Sequence, residues 1–179
     1  MQTSTLSALR AIIGESRVLT SERDIALFRS DALTLFSCKP SAVLEPGSRK
    51  EVVACVQVLH AAGIPFTARG AGTGLSAGAL VPEGGVLISL LRLNEILEFN
   101  EDARFAVVEP GVINAELSQM LADSGLYSAP DPSSQLECTL GGNLAENEGG
   151  PHCCLHGMTA QHILFAEVVL ADGTVETWG

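Results

Sequence analysis

One stretch constrains this chain more than any other: ARGAGTGLSAGAL, residues 68–80. It sets Gly70, Gly72, Gly74 and Gly78 in a segment with no side chain larger than Leu after Arg69, and it follows directly on IPFTARG, which reads as a strand. Gly72, Gly74 and Ala77 also satisfy the dinucleotide pattern G-x-G-x-x-G/A. That pattern marks a Rossmann site only where a helix opens behind the glycines and aims its N-terminus at the pyrophosphate. Here only LSAGALV separates Gly74 from Pro82, and Gly84-Gly85 follow at once, too little for two helical turns. An NAD-binding Rossmann fold therefore lacks its helix. Two readings of the loop stay open. It is a turn between strands, glycine-rich for geometry alone, or it is an anion cradle whose backbone N–H groups converge because glycine permits positive φ. In the second case Thr73 and Ser76 add hydroxyls and Arg69 one cation, although Arg69 also reads as a surface ion-pair residue.

Charge narrows the choice of ligand. The 179 residues carry 10 Lys and Arg against 21 Asp and Glu, a formal charge of −11. Nucleic-acid binding rests on basic residues neutralising phosphates, so no nucleic-acid partner is expected. A diphosphate would have to be held by amides and at most one local arginine. At 46% hydrophobic and 17% charged the composition is globular, and no apolar run approaches a membrane span. MQTSTLSALRAIIGESR lacks the marks of a signal peptide, so a cytoplasmic protein with reduced thiols at Cys38, Cys55, Cys138, Cys153 and Cys154 is expected.

The rest of the chain reads as a mixed series. STLSALRAIIG and, more weakly, SERDIALFRSDAL suggest helices in residues 1–37. SCKPSAVLEPGS suggests a strand. SRKEVVACVQVLHAAG is a helix with Ser48 and Glu51 at capping-box spacing and Gly63 as its stop. GGVLISL and RFAVVEPG read as strands, and NAELSQMLADSG as a helix capped by Asn114 and stopped by Gly125. ILFAEVVLADGTVETWG reads as a hairpin turning at Asp172-Gly173. The order predicts an α+β fold with two small sheets.

Residues 129–159, APDPSSQLECTLGGNLAENEGGPHCCLHGMT, form a long aperiodic stretch, and such loops inside compact domains are usually functional. Leu136, Leu140 and Leu144 are spaced as buried anchors, while Asp131, Ser133, Ser134, Thr139, Asn143 and Asn147 offer donors and acceptors suited to a polar ring edge and a polyol. His152, Cys153, Cys154 and His156 are metal-ligand types, but their spacing fits no standard zinc pattern.

Together, RGAGTGLSAGA, VVEPGV, APDPSSQ followed by CTLGGNLAEN, GGPHC, and EVVLADG resemble the FAD-linked oxidases of the vanillyl-alcohol oxidase/PCMH type. Within these, they are most similar to the glycolate oxidase FAD-subunit and D-lactate dehydrogenase branch. The resemblance covers roughly residues 38–179. Residues 1–37 read as an N-terminal helical segment, and over 38–179 the resemblance implies a PCMH-type domain of two α+β subdomains with FAD between them. It implies that Arg69, Gly70, Ala71, Gly72, Thr73, Gly74 and Leu75 wrap the pyrophosphate by backbone amides. Pro130, Asp131, Ser134, Gly141, Gly142 and Asn143 would line the ribityl and isoalloxazine part, with Asn147, Gly149, Gly150 and Gly157 continuing that wall. Val168, and Glu109 to Val112, would meet the adenine end. Residues 68–80 hold no His, so the resemblance implies non-covalent FAD. It further implies a 2-hydroxy acid as the substrate of a full-length form, an iron–sulfur electron-transfer subunit as a possible partner, and a substrate-binding cap beyond Gly179. No catalytic base is expected within 1–179, His152 being the sole candidate, and no metal site. On that reading the chain is a truncated form, inactive alone. A non-enzymatic module with weak or no FAD binding is the alternative.

Three positions depart from the family pattern. Ala77 stands where glycine is common, which a negative φ would accommodate. Glu148 replaces a small residue, and a carboxylate buried against flavin is costly unless paired or protonated. His156 replaces an aromatic Tyr.

Overall fold

The computed structural model describes residues 2–179. Its centre is a four-stranded sheet in the order β1 (Val18–Leu19), β2 (Ala42–Leu44), β4 (Val86–Ser89), β3 (Phe66–Arg69). β1 runs antiparallel to β2, while β2, β4 and β3 are parallel. β2 and β4 are buried along their whole length, as expected of parallel strands covered on both faces. Side chains alternate across that sheet. Ala42, Leu44, Val86 and Ile88 face one cluster, built with α1 (Thr3–Ile13) and α3 (Arg49–Ala61) through Leu9, Ile13, Cys55, Val56 and Leu59. Val43 and Leu87 face the other way, against Ile25 of the short helix α2 (Glu22–Ile25) and Phe28 of the 3₁₀ turn behind it.

Residues 1–37 thus supply more than helices. They contribute a strand to the sheet and the apolar cover on both of its faces. The weaker helix expected from SERDIALFRSDAL is one turn of α-helix and a 3₁₀ turn. In α3 the expected cap is half formed. Ser48 Oγ accepts the Glu51 N–H at 3.3 Å, but the Glu51 carboxylate reaches the Gly47 N–H at 2.7 Å and Arg17 at 2.7 and 2.8 Å.

A second apolar cluster joins the antiparallel pair β5 (Ile96–Asn100) and β6 (Phe105–Val108) to α4 (Asn114–Leu121) through Ile96, Phe99, Val108, Val112, Leu117 and Leu121. The expected cap of α4 is corrected: Ile113 holds the N-cap position and Asn114 is the first helical residue, fully buried. Its Nδ2 donates to the Pro130 carbonyl at 3.0 Å and its Oδ1 accepts from Ser128 Oγ at 3.2 Å. It ties the helix to the long loop instead of capping its own first turn. The hairpin of β7 (Ala166–Val169) and β8 (Val175–Trp178) turns through Asp172-Gly173 as expected, Gly173 having φ +88°. In place of two small sheets the chain has the four-stranded sheet and two two-stranded ones.

The stretch 129–159 is not a continuous loop. It contains α5 (Leu140–Glu146) and the single-turn helix α6 (Cys153–His156). Thr139 starts α5 by accepting the Gly142 N–H on its hydroxyl, and Asn147 ends it in the left-handed region at φ +50°, a conformation Asn tolerates better than most residues. Leu140 packs on the second cluster, but Leu136 is 79% exposed and anchors nothing among the described residues.

Candidate functional site

The glycine loop leaves the sheet at the end of β3, where the Leu90 N–H donates to the Arg69 carbonyl at 2.9 Å. Arg69 is not a surface ion-pair residue. It is 8% exposed, its Nη1 donates to the Ser30 carbonyl at 3.0 Å, and its guanidinium lies 5.8 Å from the centre of the Phe28 ring. Burial pushes its pKa down, opposed by the charge of Asp31. The guanidinium sits beneath the loop: a Cβ on Gly72, whose φ is +76°, would fall 2.2 Å from Arg69 Nη2. The cation therefore supports the loop from below and leaves its outer face to the backbone.

The amides of Gly70 through Ser76 donate to no backbone carbonyl among the described residues. The first five of these residues are half-buried and Leu75 is 62% exposed. The loop runs along α5. A Cβ on Gly70 would meet Thr139 Oγ1 at 2.2 Å, and one on Gly78 would meet Glu146 Oε1 at 3.0 Å. The Ser76 hydroxyl donates to Glu146 at 3.3 Å. Residues 68–80 and 139–146, far apart in sequence, thus form one wall and floor. Ala77 is left-handed at φ +63°, so the condition for tolerating its methyl, a negative φ, is not met.

The second stretch is packed just as closely. Gly141 lies against Pro110, whose Cβ would be 2.6 Å from an added Cβ, and Gly150 against the Asp131 backbone, at 2.3 Å. Asn143, in the buried middle of α5, is 1% exposed; its Nδ2 makes no hydrogen bond of good geometry, although its side chain lies close enough to the Cys138 thiol to oppose the rise of that thiol's pKa. An orphaned buried amide is costly, and in a native site it points to a ligand or water that completes it. Asn147 spends its Oδ1 on the Ala160 N–H at 3.0 Å, and Gly157, at φ +81°, closes α6. Ser134 receives the Glu137 and Cys138 amides on its carbonyl, at 2.8 Å each. Val168 belongs to the β7–β8 hairpin, which the Arg49–Glu167 ion pair (2.6 Å) and the Gly173–Gln57 contact hold against α3. No hydrogen bond or ion pair among the described residues joins it to either loop.

Asp131 is engaged within the protein. Its Oδ2 lies 2.6 Å from His152 Nδ1, and this hydrogen bond holds the carboxyl below its ordinary range. With Tyr127, whose hydroxyl is 3.3 Å from His156 Nε2, these groups line a cleft of about 300 Å³. His152, the one base candidate, is thus already paired. All five cysteines are free thiols; burial raises Cys138 and pushes Cys55 up to about 12, and a thiol held protonated by burial is a poor nucleophile. Glu148 is half-buried, and burial followed by the neighbouring Glu146 raises its pKa.

Two features went unread in the sequence. Glu146 lies alongside the loop, and Asp31, 5% exposed, accepts the Ala77 N–H at 2.9 Å. Asp31 left one local signal, an Asx turn in which its Oδ1 accepts the Leu33 N–H at 3.1 Å.

The unpaired backbone amides of the glycine loop fit an anionic ligand such as a diphosphate. A family model described as an FAD binding domain matches residues 40–179. The chain is 43% identical over 178 residues to the glycolate oxidase subunit GlcD of Escherichia coli, covering 99% of this chain and 36% of that protein. It is 33% identical over 168 residues to a D-lactate dehydrogenase of Anaerostipes hadrus, covering 93% of this chain and 35% of that one. Among solved structures, the 4-ethylphenol oxidase of Gulosibacter chungangensis superposes with a TM-score of 0.82 at 32% identity, over 97% of this chain and 34% of that chain. The chain spans about a third of the length of these relatives. It belongs to the PCMH-type FAD-binding domain family of FAD-linked oxidoreductases, related to glycolate oxidase and D-lactate dehydrogenase, and its cofactor is FAD.

Proposed function

We propose that Arg69 to Leu75 hold the FAD diphosphate non-covalently by their backbone amides, in an oxidoreductase acting on a 2-hydroxy acid. The unpaired amides of this loop, laid against α5, are the observation that carries the reading. Successive N–H groups in a glycine-rich turn make an anion nest without a basic side chain, which suits a chain of net charge −11. Pro130, Asp131, Ser134, Gly141, Gly142, Asn143, Asn147, Gly149, Gly150 and Gly157 would form the flavin side, and Val168 would serve the adenine end. Bound FAD supplies the hydride-accepting chemistry. These residues bind and orient the cofactor and keep water from one face of it. Residues 1–179 alone are expected to bind FAD without oxidising the acid: His152, the one base candidate, is already bonded to Asp131.

The substrate class rests on the relatives, one of which is a glycolate oxidase subunit and another a D-lactate dehydrogenase. That the first is a subunit also supports an electron-transfer partner, for which an iron–sulfur protein is our proposal. A chimera tests the whole reading: residues 1–179 replace the matching part of the E. coli glycolate oxidase subunit. Retained flavin and glycolate-dependent dye reduction are expected. A folded chimera that carries flavin but reduces no dye with glycolate or D-lactate contradicts the substrate class. One that carries none contradicts the site. A second reading, a module that binds FAD weakly, is favoured by Glu148. If Glu148→Ala alone confers flavin binding on the isolated chain, that reading wins.

A further inference from the structure

The segment Phe28 to Leu33 lies outside the stretch matched by the family model, which begins at residue 40, yet it fastens the glycine loop at three points. The Ser30 carbonyl accepts from Arg69 Nη1 at 3.0 Å, the Ala32 N–H donates to the Gly72 carbonyl at 3.0 Å, and Asp31 Oδ2 accepts the Ala77 N–H at 2.9 Å. The first two fix the start of the loop. The third fixes its end, at a residue held in the left-handed region where alanine is rarely found. Asp31 is itself pinned by the Leu33 N–H and is 5% exposed, so its carboxylate cannot swing out to water or to the ligand. Between the two anchors, Gly72 and Ala77, lie Thr73, Gly74, Leu75 and Ser76, whose amides donate to no backbone carbonyl.

We infer that Asp31 is a positioning residue for the diphosphate loop: by holding Ala77 left-handed it turns the amides of residues 73–76 outward together before FAD arrives. A carboxylate beneath an anion site opposes the anion by charge. Its presence there is explained by conformation, the Arg69 guanidinium under the same loop offsetting the charge. Preorganising a loop in its bound shape raises affinity by removing the cost of ordering it. The inference rests on the proposal that this loop holds the diphosphate.

The test titrates FAD, ADP and riboflavin into residues 1–179 of wild type, Asp31→Ala, Asp31→Asn and the double variant Asp31→Ala with Ala77→Gly, and records the melting of each apo protein. Asparagine has a single acceptor oxygen for the Leu33 and Ala77 N–H groups that the two Asp31 oxygens serve, and glycine adopts the left-handed conformation without help. The expected result is a loss of about tenfold or more in FAD and ADP affinity for Asp31→Ala, with riboflavin affinity unchanged. The double variant should recover most of it and Asp31→Asn only a part, since it can serve one of the two N–H groups at a time. Asp31→Ala binding FAD as wild type does would overturn the inference while leaving the loop's role intact. So would equal losses for riboflavin, or no recovery in the double variant, because these mark a general loss of folding. Wild type binding riboflavin as well as FAD, and not binding ADP, would instead defeat the diphosphate assignment itself.

Discussion

Glu146 is the residue whose position makes the sharpest demand on the site. Its carboxylate lies beside Gly74 and Gly78 and accepts from Ser76, so a diphosphate on the loop amides meets a like charge close by. Like charges near a protein surface interact by a few kcal/mol at most and are screened within about 10 Å at 0.1 M salt. Glu146→Gln keeps an acceptor for Ser76 and removes the charge. It should tighten FAD binding roughly threefold to tenfold at low ionic strength, with the gain shrinking as salt rises; titrations at two salt concentrations check this. An unchanged or weaker affinity at low salt would place the diphosphate elsewhere. Neither Glu146 nor Asp31 could be singled out from the sequence. Each is an acidic residue in a chain with 21 of them, and its meaning comes from a partner 46 residues away or more. The glycines were legible for the opposite reason. Their effect is local, and several of them, Gly70 and Gly150 above all, admit close protein neighbours.

At the level of elements, α3 is joined to the 3₁₀ turn that leads into β1 through the Arg17–Glu51 pair, two hydrogen bonds of 2.7 and 2.8 Å between partly buried side chains. The hydrogen bonds from Arg17, with that from the Gly47 N–H, keep Glu51 below its ordinary value of 4.5. A lowered carboxylate contributes stability above its unfolded pKa and loses it as pH falls through the folded one. Wild type should therefore lose stability on acidification from about pH 4.5 downward more steeply than Glu51→Gln, which at pH 7 should be less stable by about 1 kcal/mol. Denaturant melts across that range decide it. Parallel curves would mean that the pair contributes nothing.

Elements with strong local signals were readable. The Ser48 cap and apolar spacing announce α3, and Asp172-Gly173 announces the last turn. α5 was not read, because Gly141 and Gly142 in its first turn lower helix propensity by about 1 kcal/mol each. Packing of Leu140 against the α4 cluster offsets that, and the Thr139 cap was the one local hint. β5 was missed because Glu98 and a bulge after Ile96 break its alternation.

At the scale of the molecule, the resemblance read from motifs begins at about residue 38, but the similarity to the E. coli glycolate oxidase subunit runs over 178 residues and the packing does not divide there. α1, β1 and α2 cover and extend the central sheet, and the segment after α2 underlies the glycine loop. The two stretches singled out in the sequence, 68–80 and 129–159, meet along α5. That meeting could not be derived from either stretch, since it depends on how β3 and the Pro110–Thr139 region stack. No helix among the described residues is long and apolar enough to cross a membrane, and a chain of 179 residues lies well within the reach of amide NMR. The central claim is that the backbone of residues 70–76 receives the diphosphate of FAD. Amide spectra of the isolated chain, titrated with FAD, ADP and riboflavin, test it most directly. The amides of Gly70 to Ser76 should shift with FAD and with ADP and stay in place with riboflavin, while the Asn143 side-chain amide should respond to FAD and riboflavin. Binding of FAD that leaves the 70–76 amides unmoved would contradict the account.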